Sequence, residues 1–184
     1  MFVDITDRKF AEMELERLAR TDVLTGVTNR RHFFELAEIE YQRFQRYKHP
    51  LTVMLLDIDH FKQVNDRYGH LAGDHVLRHI ANECRKLLRG SDQFARYGGE
   101  EFISLLIETT HESAVETAER IRGQIEKSEI EFKGMAIPLT ISIGLAFAED
   151  DPNINLEKMI DRADKALYQS KENGRNKVTV WKSD

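Results

Sequence analysis

A single cysteine, Cys84, in a chain of 184 residues excludes an internal disulfide and suits a reducing compartment. No apolar run approaches the ~18 residues of a membrane span, and the first residues lack the apolar segment of a signal peptide, so the chain reads as cytosolic and free of membrane. A basic excess is absent too. The 27 lysines and arginines are outnumbered by 32 aspartates and glutamates, a net charge of -5. Such a surface does not hold nucleic acid through its phosphates, and any anionic substrate must be met locally. Prolines number three and glycines ten, with 41% of residues hydrophobic and 32% charged, the balance of a folded globular chain rather than a disordered one. The length allows one domain with a substantial core and one extra helix, not two full domains. There is no internal repeat and no low-complexity segment.

Residues 4–20 are dense in helix formers, with Asp7 as a candidate N-cap and Ala11, Leu15 and Leu18 at 4,3 spacing. The apolar stripe has no evident home, which favours a connector over 1–20 that follows another domain; a plain N-terminal helix is the alternative. The remainder, 21–184, reads as the working domain. A helix runs from after Thr28 to about Tyr47, where His49-Pro50 stops it. "LTVMLLDID" is an apolar run that turns polar only at its end, a buried strand delivering Asp57 and Asp59 to its C-terminal edge. A short helix from Phe61, a longer one over 74–88, a hairpin in "FARYGGEEFISLL", a helix over 111–127, a strand in "IPLTISIGLAFAE", a helix over 155–172 and a last strand "KVTVW" complete the series. This mixture predicts an α/β fold, an α+β sandwich with a mainly antiparallel central sheet covered by helices. Cys84 falls on the stripe Val76, Ile80, Cys84, Leu87 and reads as core; His75 and His79, at i,i+4 but without a third ligand, read as solvated rather than as a zinc site.

The hairpin raises the functional question, because Glu100 and Glu101 follow Gly98-Gly99 with no basic partner after them. A two-residue Gly-Gly turn would make Glu100 the first residue of the outgoing strand and send Glu101 to the opposite face. Asp57 and Asp59, two apart on a strand, share a face. Should the hairpin pair beside that strand, Glu100 comes near Asp57, and carboxylates so gathered repel one another unless a cation sits among them. Oxygen ligands favour Mg²⁺ or Mn²⁺, with phosphate oxygens completing the shell. Directly after the strand, "HFKQVND" opens a helix with Lys62 in its first turn, a phosphate cradle. Capping of that helix by the two aspartates is the competing explanation of their spacing.

Five separated blocks, "TDVLTGVTNRR", "LDIDHFKQVNDRYGHLAGDHVL", "ARYGGEEF", "ISIGLA" and "ADKALYQSKENGRNKV", together resemble the GGDEF family of diguanylate cyclases over about 21–181. The departures are slight: Val27 stands where leucine is commoner, and Glu100 is an accepted variant at the third signature position. The resemblance implies a ferredoxin-like, polymerase-palm-like fold that condenses two GTP into cyclic di-GMP and pyrophosphate. It implies Asp57, the Ile58 carbonyl and Glu100 as Mg²⁺ ligands, Asn65 and Asp74 on the guanine edge with Leu24 near the base, and main-chain groups of His60 and Phe61 with Lys62, Lys171 and Arg175 on the triphosphate. Glu100 and Lys62 would be catalytic, Glu100 also as a candidate proton acceptor. "RGSD" resembles the family's RxxD product site, with Arg89 and Asp92 in the loop and Arg120 as their partner on the next helix. The opening "FVDITDRKFAE" resembles the tail of a PAS domain, which would supply signal and dimer; with only this connector retained, the homodimer needed for catalysis should be weak. A non-catalytic receptor for GTP or cyclic di-GMP is the alternative from another class, marked by degenerate signature residues that this chain does not have. A template-directed polymerase would want a basic groove, against the acidic total.

Overall fold

The computed structural model describes residues 5–151 and 154–182; the first residues of the expected PAS-like tail, and the side chain of Ala11 in the connector's stripe, lie outside what is described. Six α-helices and eight strands are defined among the described residues. Helix α1 spans Ile5–Arg20, so Asp7 lies within its first turn rather than at its N-cap. The two-residue β1, Thr28–Asn29, leads into α2, Arg30–Tyr47. Asn29 caps α2 by accepting from the His32 N–H, and Lys48 ends it in the left-handed region at φ 56, just before the proline. Strand β2 is Leu51–Ile58; then come α3, Phe61–Tyr68, and α4, His70–Leu87. Strands β3, Gln93–Gly98, and β4, Glu101–Ile107, form the hairpin, followed by α5, His111–Lys127. Next are β5, Ile130–Phe132, β6, Met135–Ile137, β7, Ile141–Phe147, α6, Leu156–Glu172, and β8, Val178–Val180.

The main sheet has the order β1-β3-β4-β2-β7-β8. Its three inner pairings are antiparallel and the outer two, β1 with β3 and β7 with β8, are parallel, so the expected mainly antiparallel architecture is what forms. Every residue of β2 is buried because helices cover both of its faces. Met54, Leu56 and Ile58 enter one core with Val76 and Ile80 of α4 and Ile121 of α5. Val53 and Leu55 enter the other with Phe33 of α2 and Met159 and Ala163 of α6. This two-sided burial carries Asp57 into the interior at the end of the strand.

Two elements differ from expectation. Helix α4 starts at His70 rather than near Asp74: only Gly69, with φ 86, breaks the chain, while Gly73 lies inside the helix. The β5–β6 hairpin is a separate two-stranded sheet reversed at Lys133 and Gly134, with φ 51 and 76, too short to register as a sequence pattern.

Helix α6 rides on the backbone of β7. A Cβ on Gly144 would stand 2.1 Å from the Ala163 carbonyl oxygen and 2.3 Å from the Leu167 nitrogen, both helix backbone that cannot rotate aside. Gly144→Ala should therefore lower stability by about 3 kcal/mol through overpacking. Urea unfolding measures it, with the midpoint falling and the slope unchanged.

Candidate functional site

Strand β2 ends in an acidic edge. The register sets Asp57 opposite Glu101 of β4 and opposite Ser142 of β7. Residues directly opposed across antiparallel strands share a face. Glu101 therefore lies on the side of Asp57, together with Lys171 of α6, whose Nζ is 2.9 Å from Asp57 Oδ2. This corrects the expectation that Glu101 points away. The unbroken register of β4 against β2 fixes that face, and a shift between Arg96 and Gly98 in β3 fixes the turn: Gly98 pairs with Glu101, so the turn consists of Gly99 and Glu100, not of the two glycines. Of the glycine pair only Gly99, with φ 50, is left-handed, as a hairpin turn with glycine at its first central position requires. Glu100 thus sits at the tip of the turn rather than at the start of the strand.

Helix α3 begins directly behind this edge, after His60 at φ 57, and no side chain caps it. Capping by the two aspartates is thereby removed as an explanation of their spacing. Asp59 instead accepts from Thr140 Oγ1 and Ser142 Oγ, both at 2.7 Å, and from the Asn176 N–H at 3.0 Å. A cleft of about 380 Å³ runs between α3, α4 and the hairpin turn, lined among others by Phe61, Lys62, Asn65, Asp74 and Glu100. Gly73 makes room in it: a Cβ there would fall 2.0 Å from Asn65 Oδ1. Leu24 does not line the cleft; it packs against the core, and its carbonyl accepts from Arg78 Nε at 3.2 Å. Lys171 reaches the edge through Asp57, and Arg175 begins at the turn after α6, in the left-handed region at φ 62.

An arginine that sequence reasoning left without a role braces the turn. Arg96 donates from Nε and Nη2 to the Gly99 carbonyl at 3.0 and 2.7 Å, and from Nη1 to both carboxylate oxygens of Asp22 at 3.3 Å. Asp22 in turn accepts from the Thr25 N–H and hydroxyl. Burial pushes the Asp22 carboxyl up, but the Thr25 and Arg96 hydrogen bonds outweigh it and hold the group below its ordinary value. The only signal was an arginine two residues ahead of the glycine pair, with no local hint of its partner 74 positions away.

The Arg89 loop is preformed. Asp92 accepts from the Arg89 N–H at 2.9 Å and from the Ile107 N–H at 3.2 Å, tying the loop to the end of β4. A cleft of about 370 Å³ is lined by Arg85, Arg89 and Asp92 among others; Arg120 is not part of that lining but approaches from α5 and donates to the Leu87 carbonyl at 2.9 Å. His75 and His79 are half-buried rather than solvated: His75 lies 5.7 Å from the Phe132 ring, and His79 Nε2 is buried without a hydrogen-bond partner among the described residues. Burial lowers the His79 pKa, favouring the neutral ring. Cys84 is fully buried, its thiol pushed up to about 12 by burial, as suits a core residue.

Electrostatics single out the acidic edge. Burial pushes the Asp57 carboxyl from its ordinary 3.8 up to about 6 despite the Lys171 hydrogen bond, and Glu100 and Glu101 push the same way. Burial raises Glu101 as well, opposed by Lys171 and Arg30. Carboxylates held so close to one another suit a cation between them. Among the described residues no three acidic, histidine or cysteine side chains converge as a complete metal cage. Asp57 and Glu100 offer only oxygen atoms, the donor type that a hard divalent cation takes together with phosphate or water.

A family model described as "Diguanylate cyclase, GGDEF domain" matches residues 19–177. Diguanylate cyclase A of Treponema denticola is 40% identical over 174 residues, 93% of this chain and 47% of that protein. Diguanylate cyclase DgcP of Pseudomonas aeruginosa is 45% identical over 162 residues, 88% of this chain and 24% of that protein. The chain thus spans less than half the length of either curated relative. The crystal structure of the coiled coil and GGDEF domain of DgcB from Caulobacter crescentus, in complex with c-di-GMP, aligns with a TM-score of 0.89 at 29% identity, covering 96% of this chain and 93% of that one.

The Asp57 shift has a measurable consequence for the metal-free chain. Its folded-state pKa of about 6 lies above the ordinary 3.8, so between these values the native state binds a proton that the unfolded state does not. Stability contributed by this group is therefore greatest at low pH and falls as pH rises through that window. Asp57→Asn, which mimics the neutral form, should raise the thermal midpoint of the metal-free protein at about pH 8, with the gain shrinking toward about pH 4. Calorimetry with chelator present across this range reads the difference; a lower midpoint for the variant at the alkaline end would contradict it.

Proposed function

The chain belongs to the GGDEF domain family, and from that membership we propose that it condenses two GTP molecules into cyclic di-GMP with release of two pyrophosphates. One observation carries the reading: a single cleft is lined by Glu100, Lys62, Asn65 and Asp74 together, so a nucleotide lying along it would meet phosphate-binding and base-reading groups at once. Asn65 can both donate and accept, and Asp74 accepts from the guanine N–H groups, a pattern adenine cannot present. The main-chain groups of His60 and Phe61 at the uncapped start of α3, with Lys62, Lys171 and Arg175, meet the triphosphate. Asp57, the Ile58 carbonyl and Glu100 would hold Mg²⁺ or Mn²⁺, which offsets charge on the transferring phosphoryl group and lowers the pKa of the attacking 3′-hydroxyl. Lys171, paired with Asp57 in the metal-free chain, would then be free to meet phosphate.

One cleft holds one GTP, so ring closure needs two chains face to face, each supplying a 3′-hydroxyl to the other's α-phosphate. Leu15 and Leu18 of α1, three apart and so on one side of the helix, are 66% and 43% exposed, an apolar stripe that suits a second copy of this helix; at this length the pairing is weak. No described helix is long and apolar enough to cross a membrane.

Incubation with GTP and Mg²⁺, with products resolved by chromatography, tests the reading: cyclic di-GMP should accumulate, with activity per chain rising with protein concentration. Glu100→Gln should keep the turn but slow synthesis on the order of 10²-fold or more, because an amide is a poor ligand for a hard cation. Wild-type turnover in that variant, or a product other than cyclic di-GMP, would sink the assignment.

The preformed Arg89 loop adds regulation to this reading. Cyclic di-GMP bound by Arg89, Asp92 and Arg120 would act on the productive pairing of chains rather than on GTP affinity, so inhibition should be non-competitive. Arg89→Ala removes the guanidinium fork and should relieve it while leaving the initial rate intact. Rates against added product at several GTP concentrations decide; equal inhibition of both proteins, or inhibition overcome by GTP, would exclude this site.

A further inference from the structure

The turn after α6 is held by an unusually complete set of bonds around one residue. Gly174, Arg175 and Asn176 follow one another in the left-handed region, at φ 102, 62 and 48. Glycine adopts it freely; arginine and asparagine do so only where the surroundings hold them. Arg175 contributes its N–H to the Ser170 carbonyl at 3.0 Å, which closes the end of α6. The remaining restraint comes through Asn176. Its N–H is 3.0 Å from Asp59 Oδ2, its Oδ1 accepts from Arg122 Nη1 at 2.8 Å, and its Nδ2 donates to Glu126 Oε1 at 2.7 Å.

These anchors come from distant parts of the chain. Asp59, only 4% exposed, is itself fixed by Thr140 and Ser142 and lies two residues beyond Asp57. Ser142 is also the strand partner of Asp57 across β2 and β7. Arg122 and Glu126 belong to α5, where Arg122 also pairs with Glu119 and with Glu126. The Asn176 backbone is thus joined to the acidic edge on one side and to α5 on the other. Any shift at Asn176 moves the point from which the Arg175 side chain departs.

We propose that Asn176 is a positioning residue, bracketed by Asp59 and by Arg122 with Glu126, that sets the Arg175 guanidinium for the β- and γ-phosphates of the nucleotide. The proposal rests on the reading above that Arg175 meets the triphosphate. Asn176 need not touch substrate. It replaces the rotational freedom of a polar turn by one backbone geometry, so that binding phosphate does not have to order the segment as well.

Calorimetric titration with Mg²⁺ separates this role from plain stabilisation of the turn. The probes are GMP, which lacks the β- and γ-phosphates, and a non-hydrolysable α,β-methylene analogue of GTP. Asn176→Gly keeps the left-handed backbone accessible and removes both side-chain bonds. It should weaken the analogue about tenfold or more while leaving GMP unchanged. Arg122→Ala, at a part-buried position of α5, should weaken the analogue in the same direction, and it decides alone if Asn176→Gly does not fold. Arg175→Ala is the control for the underlying reading. If Arg175→Ala weakens the analogue selectively but both bracket variants, folded, leave the ratio of analogue to GMP affinity at its wild-type value, Asn176 is structural only and the proposal is overturned. An unchanged ratio in Arg175→Ala would remove the triphosphate reading, and the proposal with it.

Discussion

A carboxylate buried at the end of a largely apolar strand is the constraint around which this molecule is arranged. Strand β2 is covered on both faces, so apart from Thr52 its residues are apolar until Asp57, and desolvation lifts that carboxyl to about 6 even with Lys171 at 2.9 Å. A lysine alone does not offset the burial, and the neighbouring glutamates add to the strain rather than relieving it. Everything near the edge bears on this imbalance. Strands β4 and β7 bring Glu101 and Ser142 opposite Asp57, the Gly99 turn presents Glu100, and α3 starts uncapped behind them. The site is tolerable as a protein interior and, on the function proposed above, would become favourable once a cation sat there, which is how stability is exchanged for function at such positions.

Much of this was legible in the sequence because local rules carry it. The apolar run of β2, the helical periods of α2, α5 and α6, and the His49-Pro50 stop all follow from patterns within a few residues. The position of Glu101 did not, since it depends on the register of β4 against β2 and on where the turn falls, which a shift between Arg96 and Gly98 moves by one residue. The Arg96–Asp22 pair and the bonds of Asp59 to Thr140, Ser142 and Asn176 join residues far apart in the chain, which no window reads. His79 was misread for a related reason: it lies off the apolar stripe of α4, and its half-burial comes from the surrounding fold rather than from its own helical period.

Helix α5 occupies a place that its sequence does not advertise. Arg120 and Arg122, two apart and so on different sides of the helix, serve different ends of the molecule: one donates to the Leu87 carbonyl beside the Arg89 loop, the other to Asn176 beside the acidic edge. Ala114, Ala118, Ile121 and Ile125 of the same helix are buried in the core beneath the sheet. A helix fixed by its apolar face and used at two points on its polar flanks is a rigid spacer between those points.

Contact without side chains between β7 and α6 has a mechanical meaning as well. Most helices float on a layer of rotamers that can slip by a fraction of an ångström and repack, whereas at Gly144 the helix backbone rests on the strand backbone. Shear along the helix axis there would drive amide against amide, with nothing soft to absorb it. The far end of α6 behaves accordingly as a lever with a fixed fulcrum: Lys171 reaches Asp57 from a pivot that cannot creep, and whatever tunes the acidic edge must act through side chains and turns, not by sliding this helix.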